Sequence, residues 1–207
     1  MRDGSRSALL LLVRHGEIDA NVERRWHGST DSVLTERGRE QVRRVAAYLA
    51  RAHADAVAVY TSPLQRAQQT AQPIAAALGI APVVPSPALA EFGIGILENE
   101  LYTDLAGHHR FFERIEADLA WAPSGGESLG SVADRVVGAW RGIVAAHPGA
   151  KVVVVSHGAV VAAGLASLVD RDPRRWGSYH QRNTSITELE LGPTARVLSF
   201  DRVDHLD

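Results

Sequence analysis

Two stretches of this chain are apolar at every position rather than at every second one. Residues 8–13 read ALLLLV, and 152–155 read VVVV inside the segment KVVVVS (151–156). Side chains alternate between the two faces of a strand, so a strand with one face in water shows an alternating pattern. Unbroken runs belong to strands covered on both faces, which is how helices cover a mainly parallel sheet. Both runs also stop in the same way, on Arg14-His15-Gly16 and on His157-Gly158.

The rest of the chain alternates helical and strand patterns. From Thr35, Val42, Val45, Ala46 and Leu49 share one helical face. AVAVYT (56–61) reads as a strand, and Ser62-Pro63 as a helix start with serine capping and proline in the first position. The following helix carries Leu64, Ala67, Ala71, Ile74, Ala75 and Leu78 in phase, is closed by Gly79, and has Pro73 inside it, where a kink is expected. A short strand is expected at 81–84, one helix over 101–121, a clear helix over 129–146 and a buried one over 159–169. SITELEL (185–191) and ARVLSF (195–200) flank Gly192-Pro193 as two strands at the sheet edge. The fold class is therefore α/β, a three-layer α/β/α sandwich with a mainly parallel central sheet.

Composition narrows the partners. The 207 residues suit one domain, and a net charge of -2 with both signs scattered provides no global basic field for nucleic acid or an acidic membrane. The absence of cysteine removes disulfides, thiolate zinc sites and cysteine nucleophiles, and fits a cytoplasmic protein. The apolar run at 8–13 is too short for a signal-peptide core, and no stretch reaches membrane-spanning length. His108-His109 are adjacent, with no second ligand pair nearby, so they read as a solvated face rather than a metal site.

In open parallel sheets ligands bind beyond the carboxyl ends of the strands, so both histidines can face one crevice. Arg66, in the first turn of the helix after the third strand, points to the same end, where backbone N–H groups and a guanidinium fork favour an anion.

VRHGE, GSTDSVLTERGREQ, YTSPLQRAQQTA, AEFGIGILEN, SGGES and VSHG follow one another in the order and spacing of the histidine phosphatase superfamily, the phosphoglycerate-mutase-like proteins, which this chain resembles from about Leu9 to Thr187. The resemblance implies a single phosphoglycerate-mutase-like domain over 1–207, with 95–128 as a small cap-like insertion and a polar tail after 200. It implies that His15 attacks phosphorus and becomes a phosphohistidine, without a metal or other cofactor. Arg14, Arg66 and His157 would clamp the phosphoryl oxygens, and Glu91 would give the leaving oxygen its proton. Asn21, Gly158, Glu17, Arg25 and Asn183 match secondary positions around substrate. The implied partner is a phosphorylated small molecule, and homodimers are common among such relatives.

The pattern also departs from the family. Ile18 and Ala20 replace a threonine and a tryptophan, and Gly95-Ile96-Leu97-Glu98-Asn99 replaces G-x-W-E-G. The middle segment is short and lacks the basic set with which mutases grip a carboxylate and a second phosphate, which favours hydrolysis of phosphate monoesters. Two other readings fit the same residues: a phosphoglycerate mutase or bisphosphatase, and a catalytically silent relative that binds a phosphorylated ligand.

Overall fold

The structure, a computed structural model, describes residues 7–207, so the first six residues of the expected 1–207 domain lie outside the described residues. In chain order the elements are β1 (Ala8–Arg14), α1 (Asp19–Glu23), α2 (Glu36–Ala52), β2 (Ala56–Thr61), α3 (Gln65–Leu78) and β3 (Val84–Pro85). There follow α4 (Tyr102–Ala106), α5 (Phe111–Ala117), α6 (Leu129–Ala146), β4 (Lys151–Ser156), α7 (Gly158–Leu165), β5 (Ile186–Leu191) and β6 (Ala195–Arg202). The strands form one sheet in the order β3-β2-β4-β1-β5-β6. The first four run parallel, and β5 and β6 turn antiparallel at the edge.

The unbroken apolar runs are explained by two cores, one on each face. Leu10 and Leu12 of β1 with Val152 and Val154 of β4 meet Val132, Val136 and Trp140 of α6 and Val160 and Val161 of α7. The intervening Leu11 and Val13, with Val153 and Val155, meet Val45 and Leu49 of α2 and Ala67, Ala71 and Ile74 of α3. Each fully buried leucine or valine contributes about 1.5–3 kcal/mol, so these four layers of side chains fix the register of the central strands. Trp140 fits because α7 has Gly164 opposite it: a Cβ there would lie 2.6 Å from the indole.

Four local expectations are corrected. Ser62 does not cap α3, because its hydroxyl is drawn 2.7 Å from His157 Nε2; the helix starts at Gln65, whose N–H donates to Asp31 Oδ1 at 2.8 Å. The helix expected over 101–121 is two short ones, α4 and α5, separated where Gly107 ends the first and Arg110 takes φ 48°. The helix expected to Val169 ends at Leu165 and continues as a wider π turn over Ala166–Asp170. The strand expected at 81–84 is reduced to Val84–Pro85. At the other end, β6 runs to Arg202, and Arg44 Nη1 of α2 donates to the carbonyl of Leu206 at 2.9 Å.

Candidate active site

Sheet register places the two histidines side by side. Arg14 of β1 pairs with Ser156 of the parallel neighbour β4, so the next residue of each strand leaves the sheet at the same level. The His15 N–H donates to the Ser156 carbonyl at 3.0 Å, and the His15 and His157 rings have centroids 5.1 Å apart. On the other side of β4, β2 ends beside Val155, which delivers Ser62 and then Arg66 to the same spot.

Hydrogen bonds settle the tautomers. A carbonyl only accepts, so His15 Nδ1 carries the proton it donates to Gly16 O at 2.7 Å, and Nε2 keeps its lone pair. Arginine only donates, so His157 Nδ1 accepts from Arg66 Nε at 3.2 Å and Nε2–H donates to Ser62 Oγ. Burial, reinforced by the charges of Arg66 and Arg14, holds the His15 pKa well below the ordinary histidine value. Burial and the Arg66 charge do the same to His157.

Arg14 lies along the mouth of the site. Its Nη1 donates to the carbonyl of Gln181, while its buried Nε has no hydrogen-bond partner in the protein. Gly158 lies against it: a Cβ there would stand 3.5 Å from the guanidinium carbon, an ordinary van der Waals contact. Arg66, by contrast, is fully buried and braces the loop that follows Trp26. It donates from Nη1 to Thr30 O and from Nη2 to the carbonyls of His27 and Gly28, so with His157 four of its five N–H bonds are spent. Glu98 holds the same loop from the opposite polarity, accepting the N–H groups of Gly28 and Ser29 at 2.8 and 3.0 Å.

Glu91 stands in the loop that follows Leu89 and reaches toward the start of α7. Its Oε1 accepts the N–H of Phe92 at 2.9 Å and that of Val160 at 3.3 Å. With Oε1 so occupied as an acceptor, a proton on this carboxyl resides on Oε2. Burial pushes its pKa up, against the pull of the Phe92 N–H and of Arg66, Arg14 and Arg135. Arg135, itself fastened to Glu127 at 2.7 Å, donates to the Glu91 carbonyl and holds the backbone there.

The secondary positions divide by location. Asn183 Nδ2 donates to the His15 carbonyl and to Asn21 Oδ1, both at 3.0 Å, so these two amides tie the loop after β1 to the loop before β5. Glu17 faces α2 instead: Oε1 accepts from Thr35 Oγ1 at 3.0 Å and Oε2 lies 3.6 Å from Arg37. Gly38 permits this approach, since a Cβ there would sit 2.2 Å from the Glu17 carbonyl oxygen. Arg25 donates to Glu23 and to the carbonyl of Asn99 at the entrance.

Arg14, His15, Asn21, Arg25, Trp26, His27, Glu91 and Tyr102 together line a narrow cleft of ≈ 20 Å³. Arg14, Trp26, Glu91 and Tyr102 also line a wider cavity of ≈ 380 Å³, walled by Phe112, Glu116 and Trp176. Arg66 and His157 stand behind the cleft as its support. Tyr102, His180, Glu98 and Arg135 were not among the expected site residues. Tyr102, His180 and Glu98 sit in a short helix and loops with no periodic signal, and Arg135 is a polar position of the long α6, where periodicity marks the apolar face only. Glu98 alone had a clue, as the one acid kept in the drifted Gly95–Asn99 motif.

This geometry has known counterparts. Residues 10–200 match the histidine phosphatase superfamily (branch 1). Phosphoglycerate mutase-like protein 4 of Arabidopsis thaliana is 36% identical over 207 residues, covering 97% of this chain and 87% of its own. A metal-independent phosphoserine phosphatase of the same plant is 36% identical over 203 residues, covering 95% and 82%. Among solved structures, the phosphoserine phosphatase of Entamoeba histolytica in complex with 3-phosphoglyceric acid superposes with a TM-score of 0.86 at 28% identity, covering 97% of this chain and all (100%) of that one. Among the described residues, no helix is long and apolar enough to cross a membrane.

Proposed function

The chain belongs to the histidine phosphatase superfamily, and from that premise we propose that it is a phosphoric monoester hydrolase that works through a phosphohistidine on His15, without a metal, on small phosphorylated metabolites. One observation carries this reading. The Gly16 carbonyl holds the His15 proton on Nδ1, which leaves the Nε2 lone pair available in a cleft lined by Arg14 and Glu91.

In the first step the Nε2 lone pair attacks phosphorus and the bond to the alcohol oxygen breaks. The proton on Glu91 goes to that oxygen, so a neutral alcohol leaves. In the second step Glu91, now a carboxylate, takes a proton from water as the water oxygen attacks the phosphohistidine. Phosphate departs and His15 is neutral again. Arg14, with an unpartnered Nε, neutralises the phosphoryl charge directly. Arg66 contributes its positive charge from behind the two imidazoles and keeps one N–H uncommitted. Preorganised charge of this kind supplies the largest share of such rate enhancements. Residues 95–128 act as the cap, contributing Tyr102, Phe112 and Glu116 to the cavity beside Glu91.

The wall is aromatic and acidic where a mutase needs cations, which supports hydrolysis over transfer between hydroxyls. The test is hydrolysis of p-nitrophenyl phosphate in excess chelator beside a His15→Ala control. Turnover that survives the chelator and vanishes in the variant is expected. Loss of turnover on chelation, or undiminished turnover by His15→Ala, would overturn the reading.

A further inference from the structure

The phosphatase reading assigns the phosphoryl group but not the alcohol it leaves. Glu91 must deliver its proton to the departing oxygen, so the alcohol projects into the space that adjoins Glu91. That space is the ≈ 380 Å³ cavity. The broader groove of ≈ 580 Å³ on the other side of Arg14, which holds Arg24, Arg37 and Arg182, is not lined by Glu91.

The walls of the cavity beside Glu91 are flat and apolar. Trp26, Tyr102, Phe112 and Trp176 form a connected set, with Tyr102 and Phe112 parallel to within 11° and Phe112 6.1 Å from Trp176. Such faces attract flat apolar groups and, through their quadrupoles, cations. Apart from Arg14, which the phosphoryl group occupies, none of the residues lining this cavity is an arginine or lysine. His180 also lines it, and burial, helped by Arg14, holds its pKa below the ordinary histidine value.

The charged group at the far side is Glu116. One of its oxygens accepts the indole N–H of Trp176 at 3.2 Å, which aims the carboxylate, and among the described residues no cation is paired with it. Arg174 Nε donates to the Glu116 backbone carbonyl at 3.0 Å but does not line the cavity. Within the wall, a substrate carboxylate or second phosphate would therefore meet the Glu116 charge with no cation beside it other than Arg14. An ammonium group would be met by it.

We propose that the alcohol half of the substrate carries a flat apolar or aromatic group bearing a positive charge or none, and that carboxylated and doubly phosphorylated esters are discriminated against. This rests on the phosphatase reading above and narrows it.

The test compares kcat/KM for four esters: ethyl phosphate, benzyl phosphate, and benzyl phosphates carrying a para-aminomethyl or a para-carboxymethyl group. Benzyl over ethyl phosphate and the ammonium ester over the carboxylate ester are each expected at about tenfold or more. Glu116→Gln should shrink the second ratio about fivefold, and Trp176→Leu should shrink the first. Equal rates for the four esters, a preference for the carboxylate, or ratios unmoved by the two variants would overturn the proposal and leave the phosphatase reading standing. Failure of the folded wild-type protein to hydrolyse any of the four, or p-nitrophenyl phosphate, would overturn both.

Discussion

The imidazoles of His15 and His157 lie 5.1 Å apart, tilted by 59°, because the parallel strands that carry them end in register. Their tautomers are set by different partners. Gly16 O fixes the proton of His15 on Nδ1, and Arg66 fixes that of His157 on Nε2. The first is thereby left with a lone pair to use, and the second with none.

Arg66 therefore does two jobs at once, holding His157 and holding three carbonyls of the 27–30 loop. Arg66→Lys keeps the charge but not the planar fork, and strands several buried acceptors. We expect kcat to fall by about 10²-fold or more, with a stability loss of about 1–3 kcal/mol. Steady-state kinetics beside urea unfolding checks both; a variant with wild-type kcat would contradict the bracing role.

Glu91→Gln should reveal the proton donor through the leaving group. With alkyl phosphates the loss is expected at about 10²–10⁴-fold. With p-nitrophenyl phosphate, whose alcohol departs without a proton, phosphorylation of the enzyme should be much less affected. A burst of p-nitrophenol followed by slow turnover is the expected trace, because the same carboxylate assists the water in the second step. Equal losses for both substrates would count against it.

Acid should impair the enzyme in a defined order. The His15 pKa lies well below the ordinary value, and the neutral form attacks, so single-turnover phosphorylation rises with pH as His15 loses its proton and is already level near neutrality. Glu91 is raised and must be protonated, so the same rate falls as pH climbs past its pKa, and Glu91→Gln should abolish that limb. Stability follows the same signs. His15 and His157 bind protons more weakly folded than unfolded, so they cost stability as pH falls below about 6.5. Glu91 binds its proton more tightly folded, so its contribution is present at low pH and is lost as pH rises through its folded value. A pH series of single-turnover rates and urea midpoints tests both.

Gly164→Ala separates packing from chemistry. The added methyl meets the Trp140 ring at 2.6 Å in a core with no slack. Overpacking of this kind costs about 1–3 kcal/mol. The unfolding free energy from urea titration should drop by that much and the midpoint fall with it, with kcat/KM at 25 °C unchanged while the protein stays folded. A neutral midpoint would show that α6 and α7 part easily.

Much of this was legible in the residues. The runs at 8–13 and 152–155, apolar at every position, announced a sheet buried on both faces, and β1 and β4 lie in its centre. The helix over 129–146 and the strands over 56–61 and 151–156 begin and end where their periodicity and stop signals put them. What failed was local punctuation overridden by the site. Ser62-Pro63 has the chemistry of a helix cap, but its hydroxyl answers to His157, ninety-five positions away, and Asp31 receives the helix N–H instead. The 101–121 segment has in-phase apolar residues, yet Gly107 and Arg110 break it. Arg66 and His157 were picked out by their place at the strand ends and by resemblance. That both ring nitrogens of His157 and four of the five N–H groups of Arg66 are engaged by internal partners is a property of folded geometry that no spacing conveys.

If the Nε2 lone pair of His15 takes the phosphoryl group, the phosphate can be trapped on that residue. The most direct measurement is rapid mixing of the enzyme with p-nitrophenyl phosphate, following p-nitrophenol release, then an alkaline quench and peptide mapping by mass spectrometry. A burst approaching one p-nitrophenol per chain is expected, with an acid-labile phosphate on the peptide containing His15 and neither in His15→Ala. Phosphate trapped on another residue, or a normal burst in His15→Ala, would contradict it.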